Sequence, residues 1–269
     1  MREAVAAPLD VRLMNATASA LFMALAVMGL VAILWWVLRH PLFSLSAISV
    51  QGDLVHNNAV TLRVNVAPRL AGNFFTLDLG AVRNAFEAVP WVRSAVVRRD
   101  FPNRLNVQLQ EHQPVAYWGA EGDSRMLNSF GEVFEANVGD VEADDLPRLS
   151  GPEGQSAQLL ATYRMLLPLL EPIEAAPVKL ELTDRGSWRA QLDTGTAIEL
   201  GRGTPVEIAE RTRRFVHTVT QATSKYGRAP DAIETADLRH VNGYALRLRG
   251  VTTVTGEAPK PRTPGKSTH

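Results

Sequence analysis

The chain has 269 residues, with Lys+Arg and Asp+Glu equal at 28 each and a formal net charge of +0. That balance lacks the basic excess of a nucleic-acid-binding protein. Cysteine is absent, which excludes disulfides, thiolate chemistry and cysteine-ligated metal.

The first element is the run from Ala16 to Leu38, ATASALFMALAVMGLVAILWWVL, uncharged over 23 residues. As a helix it spans about 35 Å, against about 30 Å of bilayer hydrocarbon. Trp35 and Trp36 stand where an interfacial aromatic belt belongs, and Arg39 ends the run. A cleaved signal peptide has a shorter apolar region and small residues at its cleavage site. A buried core helix rarely stays uncharged for so long. The expectation is an uncleaved transmembrane helix over 16–38. Arg2, Arg12 and the amino terminus precede it, and Arg39 is followed by no Lys or Arg until Arg63. This bias places residues 1–15 in the cytoplasm and the bulk of the chain across the membrane.

Beyond Pro41 the pattern turns to period two. Phe43, Leu45, Ala47, Ile48 and Val50 predict a strand ending at Gly52-Asp53. Residues 59–70 (AVTLRVNVAPRL) are ambiguous between a strand and a poor helix. Asp78 caps a better helix with Leu79, Val82, Phe86 and Val89 on one face, and Pro90 stops it. Residues 91–99 and 104–111 read as two strands around the turn Asp100-Phe101-Pro102-Asn103. Phe74, Leu77, Trp91, Val96 and Leu105 are expected in the core, with Arg98 and Arg99 on a solvated face.

This β-α-α-β-β order over 43–114, directly after a membrane helix, resembles a POTRA domain. The motif residues are Phe74-Phe75-Thr76-Leu77-Asp78, Pro90-Trp91-Val92, Val96-Val97-Arg98-Arg99, Pro102-Asn103-Arg104-Leu105 and Glu111-His112-Gln113-Pro114-Val115-Ala116. Together with the membrane helix they resemble the bacterial cell-division family FtsQ/DivIB.

Residues 115–250 read as a second domain. Short strands are expected at 115–118, 126–128, 133–135 and 146–149, and a helix over 156–167 weakened at its end by Pro168 and Pro172. Strands follow at 178–183, 188–193 and 196–201. A strong helix covers 205–226, with Thr204 as cap, Pro205 in its first turn, Gly227 as stop, and Ile208, Phe215, Val219 and Ala222 inward. RHVNGYALRL, residues 239–248, predicts a closing β-hairpin, because Asn242-Gly243 suits a two-residue type I′ turn. Residues 251–269 read as a disordered tail. The expected fold class is α+β: one N-terminal transmembrane helix, the POTRA domain, then a mostly antiparallel curved sheet backed by helices.

No catalytic constellation is recognisable. The six histidines have no metal-binding spacing, and Glu142 to Asp145 reads as a solvated loop. Gly201-Arg202-Gly203-Thr204 lacks the partner residues of a phosphate loop. No serine or threonine has a base and an orienter. No catalytic residue, metal or cofactor is expected.

The resemblance implies a non-enzymatic bitopic scaffold of the divisome in the inner membrane, enriched at the septum. It implies that FtsB, with FtsL, docks by adding a strand to the C-terminal sheet edge. The family's contact motif, Asp-Leu-Arg-Tyr before a glycine turn, is matched by Asp237, Leu238, Arg239 and Gly243. His240 replaces the tyrosine, and could make the contact pH-sensitive. Tyr244 is expected to supply aromatic area from across the hairpin. The implied binding set is Arg239, His240, Val241, Asn242, Gly243, Tyr244, Ala245, Leu246 and Leu248. Arg185 lies one residue from a basic position that pairs with an acidic residue of FtsB. The resemblance also implies an upstream FtsK-type translocase. For that recruiter the POTRA strand Arg104–Glu111 is a candidate surface, or it is merely a packed third strand. The competing reading is a POTRA-containing secretion or transport component acting on polypeptides by strand addition. A membrane β-barrel should then follow, and no series of alternating ten-residue strands is present.

Overall fold

The computed structural model describes residues 8–38, 40, 43–52, 54–69, 73–141, 146–240 and 243–251. Helix α1 spans Leu9–Leu38, 30 residues with none buried, and is long and apolar enough to cross a membrane. It begins upstream of the uncharged run that opens at Ala16. The backbone ladder tolerates Asp10 and Arg12 in the first turns, and Asp10 complements the positive helix start.

The chain divides into two compact units, Met1–His112 and Gln113–His269. After α1, the first unit holds β1 (Ala47–Gly52), α2 (Ala59–Val66), α3 (Leu79–Glu87), β2 (Val92–Asp100) and β3 (Arg104–Glu111). Phe43 and Leu45 precede β1 instead of belonging to it. The ambiguous 59–70 stretch resolves as a helix because Leu62 and Val66, four apart, fall on one buried stripe. Asp78 caps α3 through the Gly80 and Ala81 amides, and Val82, Ala85 and Phe86 turn inward.

The three strands form a sheet of order β1-β3-β2, with β1 parallel and β2 antiparallel to β3. Phe74, Leu77, Trp91 and Leu105 are buried, but Val96 is 47% exposed. The strand register is the reason. Ala95 faces Leu109 and Val97 faces Val107 on the helix side, which leaves Val96 beside Gln108 on the open side. The candidate recruiter strand Arg104–Glu111 is the central strand, paired on both edges, so it offers no backbone edge to a partner.

The second unit is built on nine strands: β4 (Pro114–Trp118), β5 (Arg125–Asn128), β6 (Val133–Glu135), β7 (Arg148–Ser150), β8 (Pro177–Leu182), β9 (Ser187–Leu192), β10 (Ala197–Arg202), β11 (Ile233–Asp237) and β12 (Ala245–Leu248). Their order is β12-β11-β10-β9-β8-β7-β4-β5-β6, a mixed sheet in which antiparallel pairs outnumber parallel ones. Helices α4 (Ser156–Leu170) and α5 (Pro205–Ser224) cover it. Helix α4 runs through Pro168 to Leu170, with Leu166 and Leu170 buried on either side of the proline. Helix α5 opens on a capping box between Thr204 and Glu207. Trp188, Phe215, Leu149, Leu180 and Ile198 lie at the centre of the core.

Candidate partner-binding site

The site grows from the last two strands. The expected hairpin puts strand character at 239–241, but the strand is β11, Ile233–Asp237, parallel to β10. Its residues read IETAD, with too few β-branched and aromatic side chains to signal a strand. It forms because Ile233 and Ala236 bury against the α5 layer while β10 offers a free edge. β12 then pairs antiparallel with β11, Asp237 opposite Ala245. Seven residues, 238–244, therefore connect them, in place of the expected two-residue turn. Val241 and Asn242 lie outside the described residues.

β12 is the last strand of the sheet, so one of its edges has no strand beside it among the described residues. Ala245 and Arg247 are exposed, Leu246 is half-buried and Leu248 is buried. Arg247 reaches Glu234 at 3.1 Å. Just past the strand, the Arg249 guanidinium donates to the Thr194 carbonyl at 2.7 Å, pinning β12 to the β9–β10 turn.

Two clefts adjoin the connecting segment. One, of about 530 Å³, is lined by Thr183, Asp184, Arg185, Ser187, Arg189, Arg202 and Arg239. It brings Arg185 and Arg239, far apart in sequence, into one cationic wall. Arg189 pairs with Glu199 at 3.0 Å, and Arg239 donates to both oxygens of Asp237 at 2.9 and 2.6 Å. Those donations hold the Asp237 carboxyl down at about 2, well below its ordinary value. Arg185 and Arg202 are exposed and make no ion pair among the described residues. Among the described residues the cleft thus keeps two arginines outside any ion pair, with Asp184 the acidic side chain in its lining.

Gly201 makes this arrangement possible. It sits at a β-bulge with φ +83°, and a Cβ there would approach the Arg239 Cγ to 2.9 Å. The arginine stem lies across a position only glycine can occupy without strain.

The second cleft, of about 300 Å³, includes His240, Gly243 and Tyr244 with Arg211, His217 and Thr218 of α5. Tyr244 turns toward α5: its ring meets Phe215 edge-on at 5.2 Å and its hydroxyl lies 2.8 Å from that of Thr218. Part of its aromatic surface therefore fastens the connection to the core, and His240 is the exposed ring of the pair.

Glu111, one of the signature residues, is a structural knot that the motif alone does not reveal. It is 5% exposed, and its carboxylate accepts from the backbone amides of Val55, His56 and Asn57 and from the Asn57 side chain. Burial pushes its carboxyl up, but the donations from His56 and Asn57 outweigh burial and hold it below its ordinary value. His56 in turn stacks on Trp91 at 3.8 Å. The signal for it is the isolated glutamate closing an otherwise alternating strand, whose inward register marks a carboxylate that needs partners.

The fold and its edge define a POTRA-bearing protein with a second α+β domain. Residues 43–112 match the sequence model "POTRA domain, FtsQ-type", and residues 116–239 match "Cell division protein FtsQ/DivIB, C-terminal". The chain is 40% identical to the Cell division protein FtsQ of Burkholderia pseudomallei, over 91% of this chain and 96% of that one. It is 39% identical to that of Thiomonas arsenitoxydans (91% and 89%) and 36% identical to that of Bordetella pertussis (89% and 92%). The chain belongs to the FtsQ/DivIB family of cell-division proteins.

Proposed function

We propose that the chain is a non-enzymatic, bitopic scaffold of the divisome that captures FtsB, and FtsL with it, on the open edge of β12. In this reading residues 1–15 are cytoplasmic, 16–38 span the inner membrane, and the domains at 43–114 and 115–250 are periplasmic and gather at the septum. The observation that carries it is the edge of β12, which has no strand beside it among the described residues, joined through the 238–244 connection to a cleft with four arginines that include Arg239. A strand added there gains main-chain hydrogen bonds, and an acidic residue flanking it meets Arg185, Arg202 and Arg239. Ala245, Leu246 and Leu248 set the register, and Arg239, His240, Gly243 and Tyr244 border the docking groove; Val241 and Asn242, also expected to contact the partner, lie outside the described residues. An upstream FtsK-type translocase would engage the first unit elsewhere than on β3, which is paired on both sides, while β1 and β2 each keep an outer edge with no strand beside it among the described residues.

The test is capture of FtsB by the full-length chain. Arg185→Glu combined with Arg239→Glu should weaken capture at least tenfold, about 1.4 kcal/mol or more. Leu246→Pro should abolish it, with the near-ultraviolet spectrum confirming a folded domain. Wild-type capture by both variants overturns the assignment.

A further inference from the structure

The first unit carries an aromatic cluster that the division reading does not use. Phe74 is buried, but Phe75 is 43% and Phe101 72% exposed. The rings are linked edge-on: Phe43 to Phe75 at 4.9 Å, Phe75 to Phe74 at 5.3 Å, and Phe74 to Phe101 at 6.1 Å. Two turns converge to form it, the turn after α2 and the β2–β3 turn. Both are tied to the segment that leaves α1. The Asn73 side-chain amide donates to the Leu38 carbonyl, Phe74 N–H donates to the Phe43 carbonyl at 2.9 Å, and Ser46 N–H donates to the Asn103 carbonyl at 2.9 Å.

The tether is short. Phe43 stands five residues past Leu38, at most about 18 Å of fully extended chain. It is tighter than that, because His40 N–H bonds back to Val37 and Phe43 N–H to His40. The exposed rings are therefore held close to the end of the apolar helix, where Trp35 and Trp36 stand. Arg98 and Arg104 are exposed on the adjoining strand ends, with Asp100 the acidic residue between them. Exposed apolar rings flanked by cations suit the boundary between acyl chains and phosphate headgroups.

We propose that this end of the first unit docks on the lipid interface, with Phe75 and Phe101 inserted at headgroup depth and Arg98 and Arg104 on lipid phosphates. The inference rests on reading α1 as a membrane span. It makes the aromatic cluster a second, shallow anchor that sets how the domain stands on the bilayer.

The absence of cysteine allows a direct test. The full chain is reconstituted in nanodiscs of phosphatidylethanolamine and phosphatidylglycerol, with a nitroxide on Asp100→Cys, Ala88→Cys or Val27→Cys. Val27 reports the span, and Ala88 lies at the opposite end of β2, about 25 Å away at a strand's rise per residue. Collision with oxygen relative to a water-soluble nickel chelate should be highest at position 27, several-fold above aqueous at position 100, and aqueous at 88. Adding Phe75→Ser and Phe101→Ser should return position 100 to the aqueous value while the first unit keeps a cooperative thermal melt. An aqueous reading at 100 alongside a deep reading at 27 overturns the proposal alone. A shallow reading at 27 overturns the membrane-span reading. Equal interfacial readings at 88 and 100 overturn the assignment to this face.

Discussion

Glu111 and the Asp237–Arg239 pair are both carboxylate sites in segments by which the family is recognised, yet the structure uses them in opposite ways. Glu111 is sealed, and its oxygens are consumed by the amides of residues 55–57. Asp237 is spent on one arginine whose guanidinium remains largely in solvent. The first closes a fold; the second orients a cation in a cleft. A motif residue's type does not separate these roles, whereas its burial and the number of partners it satisfies do.

Substitutions at each site separate the two roles. Glu111→Ala should have the largest effect. It strips acceptors from three backbone amides and a buried side-chain amide, and should cost about 3 kcal/mol in urea unfolding of the first unit. A loss under about 1 kcal/mol would show that water replaces the carboxylate and that the knot is not structural. Gly201→Ala comes next. Its positive φ and the Arg239 stem should make it cost about 1–2 kcal/mol, and FtsB capture should fall because Arg239 must move.

Acid should act on the exposed pair more gently. A carboxylate held below its ordinary value adds stability above the unfolded value, near 3.9, and loses it as pH falls toward the folded value. For Asp237 the loss should run between about pH 5 and the folded value of about 2. It should amount to about 1 kcal/mol or less, since Arg239 is mostly solvated. In Arg239→Ala the Asp237 share of this loss should vanish from the second unit's acid titration, leaving the shares of Asp123 and Glu207, whose carboxyls are also held below their ordinary values. Tyr244→Phe, which removes only the hydroxyl contact with Thr218, should cost about 0.5–1 kcal/mol in thermal stability. Arg185→Ala should be smallest, within about 0.5 kcal/mol of wild type in stability, while still weakening FtsB capture. If Arg185→Ala unfolds the domain instead, the distinction between closing and docking residues fails at that position.

Much of the fold is legible in the order of the residues. The uncharged run marks α1, Asp78 and Thr204 announce their helix caps, and the alternation of Leu105, Val107 and Leu109 places β3's inner face. These features depend on neighbours three or four residues away, or on a period of two, so a linear sequence displays them. What it does not display is of longer range. IETAD becomes β11 only because β10 offers it an edge, and the strand that pairs with β12 ends at Asp237, upstream of RHVNG. Val96 falls on the open face through a register set by β3.

The amino-acid sequence by itself determined one apolar helix, two successive α+β units, and the family to which they belong, because periodicity, capping and turn chemistry are local. Only the tertiary structure decided that Ile233–Asp237 is the strand that pairs with β12, that Arg185 and Arg239 share a cleft, and that Glu111 is buried while Phe101 is not. Strand order and burial are set by which surfaces meet after the chain has closed loops of tens of residues, and no local pattern encodes that meeting.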